Sequence, residues 1–283
     1  MCPRQCGADR TRGERGPCGA GKEVRLASAV IHEGEEPPIS GTRGSATFFF
    51  SHCPLACCFC QNFPISQLGH GKNLTIEALA DHMLRLARRG AHNLNMVTGT
   101  QFAPHIIAAV ALAREQGLAI PIVWNTSGYE TKETIELLRG TVDIYLTDVK
   151  YADDTVAMTL SDADDYFAVS MAAAEQMLAQ VGPFTVDADG IGVRGVVVRH
   201  LVLPENLSQT KEVMRAVREQ LGPEVPVSLM GQYFPAHRAH TMPLLSRALS
   251  EEEYEAAEQA LFDAGIEEGW LQNMDDPTCK RGA

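Results

Sequence analysis

No run of the ~20 consecutive apolar residues needed to cross a bilayer occurs in this 283-residue chain. Its first twenty residues are rich in Cys, Gly and Arg and contain no apolar stretch of the kind that marks a secretory leader. These absences argue against a membrane protein and predict a cytoplasmic one. Basic clusters are scarce too. The formal net charge is −12, so nucleic acid would meet a repulsive surface, and none is expected as a partner. The densest basic stretch, "RLARRG" from Arg85 to Gly90, reads as the last turn of a helix, where cations suit the helix dipole. Two glycine signatures are also missing. No G-x-G-x-x-G opens a helix and no G-x-x-x-x-G-K-[ST] occurs, which removes the usual marks of dinucleotide and P-loop sites.

What is present is an ordinary globular composition, 45% hydrophobic and 21% charged, long enough for one substantial core. Residues 1–44 differ from the rest. They hold three cysteines, many glycines and the Pro-Gly punctuated stretch "HEGEEPPISGTRG", and are expected to form a small N-terminal appendage. From residue 45 to 283 short apolar runs alternate with amphipathic segments: "ATFFF", then a helix from near Thr75; "NLNMV" with "PHIIAAVALAREQG"; "PIVWN" with "ETKETIELLRG". "VDIYLTD" with "YFAVSMAAAEQMLAQVG", "GVVVRHLVL" with "SQTKEVMRAVREQLG", and "VPVSLMGQY" with "SEEEYEAAEQALFDAG" continue the series. Ser250 and Glu253 have capping-box spacing. Six such repeats predict an α/β fold with a parallel sheet, either an open doubly wound sheet or an incomplete barrel. In both, function gathers at the strand C-terminal ends.

Four of the eight cysteines fall in "FFFSHCPLACCFCQN", directly after the first of these strands. Reduced thiols are the rule in the cytoplasm, so a metal site is favoured over a disulfide. Cys53, Cys57 and Cys60 have the spacing C-x3-C-x2-C. Three thiolates from one loop suit three irons of a [4Fe–4S] cube and leave the fourth iron open. Zinc would require a fourth ligand, and its usual second C-x2-C knuckle is missing. Cys58 reads as a bystander beside Cys57, and Cys279 as incidental. Cys2, Cys6 and Cys18 could bind zinc or a second iron–sulfur cluster, or remain free thiols.

"CPLACCFC" resembles the C-x3-C-x-aromatic-C signature of the radical S-adenosylmethionine superfamily, with Phe59 as the aromatic. The likeness extends in order through "CPRQCGADRTRGERGPCG", "EEPPISG", "CQNFPIS", "WNTSGYE", "VDIYLTDVKY", "RHLVLPEN" and "MGQYFP", as in the pyruvate formate-lyase activating-enzyme-like branch. The resemblance implies a partial (β/α)6 TIM-like barrel. It also implies a [4Fe–4S] cluster whose open iron is chelated by S-adenosylmethionine, and reductive cleavage of that cofactor to a 5′-deoxyadenosyl radical that abstracts hydrogen. A protein or peptide substrate is implied, in the branch's own case the glycine of a glycyl-radical enzyme, with an electron donor such as flavodoxin or ferredoxin. Another peptide or small molecule is the alternative substrate, and a zinc-stabilised binding protein without catalysis is the alternative from a different class.

Within that resemblance several residues become candidates for cofactor binding. Phe59 is the motif aromatic, whose backbone would meet adenine. Thr98, Gly99 and Thr100 end the second strand, where the superfamily carries a Gly-Gly-Glu-like segment that this chain matches only loosely. Asn125, Thr126 and Ser127 end the third strand, with Asn125 and Ser127 as the candidates. Asp148 and Lys150 end the fourth, two positions apart and hence on one face, which alternation extends back through Leu146, Ile144 and Val142. They form either part of a lined pocket or a local ion pair. Arg199 and His200 end the fifth strand, and His200 matches a position used near the adenosyl group. Gln232 and Tyr233, after the sixth, face the expected substrate side. The resemblance also implies glycine rather than His52 just before the first cluster cysteine, and a further cysteine ahead of Cys2.

Overall fold

In the computed structural model, which describes residues 1–274, the expected alternation becomes one large sheet with helices on its outer face. Strand β1 (Val24–His32) runs antiparallel to β2 (Ser45–Phe50), and the short β3 (Lys72–Leu74) pairs with the other edge of β1. From β2 the parallel series continues through β4 (Leu94–Val97), β5 (Ile122–Thr126), β6 (Ile144–Asp148), β8 (Gly192–Leu201) and β9 (Val227–Met230). These are the six strands read from the sequence. β7 (Thr185–Val186) hangs on β8, and β10 (Gly269–Leu271) adds a last parallel strand to β9. The order β10-β9-β8-β6-β5-β4-β2-β1-β3 never joins its two ends, so the sheet is an open, partial TIM-type barrel. Residues 24–32, from the segment expected as an appendage, belong to this same sheet. Cys279 lies outside the described residues.

Local sequence accounts for the helices. In α3 (Ile76–Arg88) the Thr75 hydroxyl accepts from the Ala78 N–H, Leu79, Ala80, Met83, Leu84 and Leu86 form a buried stripe, and Arg85 and Arg88 fill the last turn. "RLARRG" is thus the helix end it was expected to be. Ser250 and Glu253 close the predicted capping box on α9 (Glu251–Asp263). Between them in the chain stand α4 (Ala103–Glu115), α5 (Lys132–Leu137), α6 (Asp154–Ser161), α7 (Tyr166–Val181) and α8 (Thr210–Gln220).

Strand alternation divides the interior into two layers. Ala46, Phe48, Phe50, Leu94, Met96, Trp124 and Tyr145 pack outward with the helices. Val123, Ile144, Leu146 and Val197 pack inward, and the side chain that meets them is Ile39 of α1 (Pro37–Ser40), fully buried. That one-turn helix lies in the link between β1 and β2, where His32 pairs with Ser45, at the end of the barrel where the parallel strands begin. The Asn93 side chain anchors it by donating to the Ile39 carbonyl at 2.7 Å. Residues 33–44 therefore plug the barrel floor. One expected alignment fails: Val142 packs outward with Tyr145, because the extended alternation begins only at Ile144.

One glycine in β8 is irreplaceable on steric grounds. Gly195 has φ +120°, and a Cβ there would overlap Phe184 Cα and the Pro183 carbonyl, both backbone. Gly195→Ala is expected to cost about 3 kcal/mol or more, from combined strain and overpacking. Urea denaturation followed by circular dichroism measures it; an unchanged midpoint would contradict this packing.

Candidate active site at the mouth of the barrel

The cysteine loop leaves β2 at Phe50 and is held from three sides. The Cys58 N–H donates to the Leu160 carbonyl at 2.7 Å, and the Cys58 carbonyl accepts from the Arg238 and Ala239 N–H groups at 2.9 and 3.0 Å. The Gln67 side chain donates to the Cys57 carbonyl at 2.9 Å. From the N-terminal segment, Arg4 Nε donates to the Pro54 carbonyl at 2.5 Å. Cys58 is itself buried among Leu55, Phe59, Tyr151 and Leu160, so its thiol fills a core and the reading of it as a bystander has a packing reason.

Donors surround the other three sulfurs. Cys53 Sγ accepts from the Leu55 N–H at 3.4 Å, Cys57 Sγ accepts from the Ser161 hydroxyl at 3.0 Å, and Cys60 Sγ lies 3.2 Å from Ser66 Oγ. Burial pushes the Cys53 thiol well up and raises Cys57 to about 11, against the opposing pull of the Lys150 ammonium on Cys57. Thiols so placed lose their protons only when a cation takes over the charge. Among the described residues no three His, Cys, Asp or Glu side chains converge on the position of a single ion. Three thiols from one loop, each with a hydrogen-bond donor at its sulfur, suit three corners of an iron–sulfur cube. The residues therefore fit the cluster that their spacing implies.

Lys150 faces this loop. Burial opposes its charge, but Asp148 and the sulfurs of Cys57 and Cys53 outweigh that, and its pKa rises. Asp148 and Lys150 form a direct ion pair, each about one-sixth exposed. Of the two alternatives for this pair the structure shows the local ion pair, which lies close enough to the cysteine loop for Lys150 to interact with Cys57.

The other candidates take distinct places. Phe59 is buried, its ring edge-on to Tyr233 at 6.0 Å. Thr98 has φ +57°, a left-handed backbone that favours glycine. Gly99 follows it with no room for a Cβ against Trp124 and Ile106. Thr100 donates to Glu130 at 2.5 Å, and Thr126 donates to the same oxygen. Asn125 turns inward toward Glu35, at 3.5 Å. The Ser127 carbonyl accepts from the Tyr166 hydroxyl at 2.7 Å. Gln232 accepts from Gln272 at 3.2 Å, and its carbonyl accepts from Gln61 at 3.0 Å, joining the last strand end to the cysteine loop.

Alternation sends the neighbours Arg199 and His200 to opposite sides of β8. His200 is fully buried on the outer side, with Nδ1 2.6 Å from the Val149 carbonyl and Nε2 3.0 Å from Thr210 Oγ1. Burial depresses its pKa to about 4, so the ring is neutral. Arg199 points inward, where its Nε is 3.0 Å from Glu36 and its Nη1 3.4 Å from Glu35. Cys2 lies near enough to Cys6 and Cys18 to feel their charges, and burial raises its thiol.

Sequence reading missed two features and left a third, His52, unexplained. Glu35 and Glu36 sit in a stretch expected to form part of an N-terminal appendage, and only their place on the plug reveals them. Glu130 closes the quoted "WNTSGYE" segment; burial raises its pKa despite the hydroxyls of Thr100 and Thr126, and it ties the ends of β4 and β5 together. His52 occupies φ +72°, which explains why glycine was expected, and its ring stacks into space that Gly19 and Gly69 leave open: a Cβ on either would lie 2.9 or 2.6 Å from it.

Residues 47–217 match the model of the radical SAM superfamily. An uncharacterized protein of Methanocaldococcus jannaschii is 31% identical over 264 residues, 91% of this chain and 72% of that one. The pyruvate formate-lyase-activating enzyme of Clostridium pasteurianum is 28% identical over 172 residues, 59% of this chain and 65% of that one. Among solved structures, methylornithine synthase superposes with a TM-score of 0.55 at 14% identity, over 84% of this chain and 68% of that one. With a family match across most of the barrel and a relative aligned along nearly the whole chain, this protein belongs to the radical SAM superfamily.

Proposed function

We propose that the chain is a radical enzyme of the activating-enzyme type, in which Cys53, Cys57 and Cys60 hold a [4Fe–4S] cluster and S-adenosylmethionine binds over it. The observation that carries this reading is the three-sulfur loop, supplied with hydrogen-bond donors and faced by Lys150. When bound, the two groups supply a carbon-centred radical able to remove a hydrogen atom. The protein's part is to bind, orient and keep water away. Lys150 offers an ammonium to a carboxylate of the cofactor, and Asp148 holds that ammonium in place. Thr98, Gly99 and Thr100 present backbone at the end of β4, braced from behind by Glu130. Asn125 and Ser127 at the end of β5 and the Phe59 backbone complete the wall. His200 acts from the outer side, holding the Val149 carbonyl and so the strand end that carries Lys150. Cys2, Cys6 and Cys18 are a candidate zinc or second cluster site close to the first.

The substrate proposed is a protein or peptide, in the activating-enzyme branch's own case a glycine of a glycyl-radical enzyme; the Clostridium relative is named an activating enzyme of pyruvate formate-lyase. An acidic electron carrier such as flavodoxin or ferredoxin suits the surface around a small cavity where Arg10, Arg15, Lys22 and Arg25 outnumber the one carboxylate, Glu23, a basic patch on a chain of net charge −12. No helix among the described residues is long and apolar enough to cross a membrane, which accords with a cytoplasmic role.

Anaerobic reconstitution followed by iron and sulfide analysis tests the cluster, and release of methionine and 5′-deoxyadenosine tests cofactor cleavage. A glycyl doublet in electron paramagnetic resonance, after mixing with a candidate glycyl-radical enzyme, tests the activating role. Cleavage without the doublet would redirect the radical to another peptide or a small molecule; a colourless, zinc-replete and iron-free protein would overturn the reading altogether.

A further inference from the structure

We propose that the barrel interior between the plug and the ends of β8 and β9 is a substrate-recognition site for a cationic group, a primary ammonium or guanidinium, received by Glu36 and Glu35 beside Arg199. The site is a cavity of about 510 Å³ between the plug and the inner edge of β9 and β10, lined by Glu35, Glu36, Arg199, Ser228, Gln232 and Trp270 among others. That size admits one extended side chain with its flanking backbone.

The charges are unequal. Arg199 faces two carboxylates, Glu36 at 3.0 Å and Glu35 at 3.4 Å, and a third, Glu33, lies on the cavity rim. Its Nη2 lies 3.3 Å from Met230 Sδ, and its Nε, although 3.0 Å from Glu36, makes no hydrogen bond among the described residues. An anion would have to displace these carboxylates, whereas a cation meets them. A second observation points the same way. Glu36 has a side chain only 4% exposed, yet among the described residues its Oε2 accepts no hydrogen bond. Buried acceptors without donors are costly and rare. A ligand rich in N–H groups, with no lone pairs to offer, supplies what this carboxylate lacks.

The position suits a substrate. Arg199 feels the charge of Asp148, Asp148 pairs with Lys150, and Lys150 feels Cys57, so this site is linked to the cysteine loop. The inference deepens the proposed function and rests on it only in taking the barrel interior as substrate space.

The test is calorimetric titration of the full, cluster-loaded chain, without reductant, against acetyl-Gly-Lys-Gly-amide, its Nε-acetylated form and butylamine. Saturable binding of the lysine peptide, about tenfold or more tighter than the acetylated one, is the expected result. Butylamine binding as tightly as the peptide would assign the site to small amines; weaker binding would assign it to a peptide, and either supports a cation site. Equal binding of the acetylated peptide, or no binding of any cation, overturns it. Glu36→Gln is expected to erase the preference for the charged peptide, and Glu33→Gln, at the exposed rim, to lessen it without endangering the fold. Because no cofactor cleavage is measured, failure here leaves the radical chemistry standing, and failure of that chemistry leaves this binding intact.

Discussion

Cys57→Ala is expected to abolish cofactor cleavage and to lower iron bound at the main site, with the fold retained. Removing an outer-shell partner of a metal site costs ~10–100-fold; removing a direct ligand from a three-ligand set should cost more, down to the background rate. The only spare thiol in the loop is Cys58, and it is poorly placed to substitute. Its N–H is tied to Leu160 and its carbonyl to Arg238 and Ala239, while its side chain fills the cluster of Leu55, Phe59 and Tyr151. Swinging that thiol toward the cluster would break these bonds and open a cavity. Cys58→Ala is therefore the informative companion: it should leave iron content and cleavage near wild type and lower thermal stability. Iron analysis with quantified 5′-deoxyadenosine decides the matter, and a Cys57→Ala protein with full activity would make Cys58 the true ligand.

Arg199→Ala should be the most destabilising single change among the inward-facing charges, by ~3–5 kcal/mol, the range seen when one partner of a buried ion pair is removed. The cost comes less from lost attraction than from what remains, Glu35 and Glu36 side by side in a site where burial already raises the Glu35 carboxyl despite Arg199. The control is the triple change Glu35→Gln, Glu36→Gln, Arg199→Met, which removes all three charges together. It should recover most of the loss, as read from urea midpoints at neutral pH. If Arg199→Ala alone unfolds no more easily than wild type, the three groups are not coupled as the geometry indicates.

The six parallel strands and their helices were legible because each carries its own period: a short apolar run, then a stripe closed by a cap such as Thr75 or Ser250. The cysteine loop was legible because ligand spacing survives without any knowledge of the fold. Asp148 and Lys150 were found together because two positions along a strand share a face. The same rule, carried one residue further, separates Arg199 from His200, and there the eye was drawn to the histidine. Glu35 and Glu36 were unreadable for another reason. Their partners Asn95, Asn125 and Arg199 lie 60, 90 and 164 positions away, and nothing local in a Pro-Gly stretch says that it folds inward. β1 and β3 were missed similarly, since antiparallel additions at a sheet edge need no helix to announce them.

The plug also bears on the order of assembly. His32 and Ser45 are paired across a hairpin, so the loop that carries Ile39 and the two glutamates is closed by neighbours in sequence, at little entropic expense. The walls around it must bring together strands far apart in the chain, the slow class of contact. The floor can thus take shape first and offer Ile39 as an apolar seed on which Val123, Ile144 and Val197 condense in turn, with Arg199 among the last charges to find its partners.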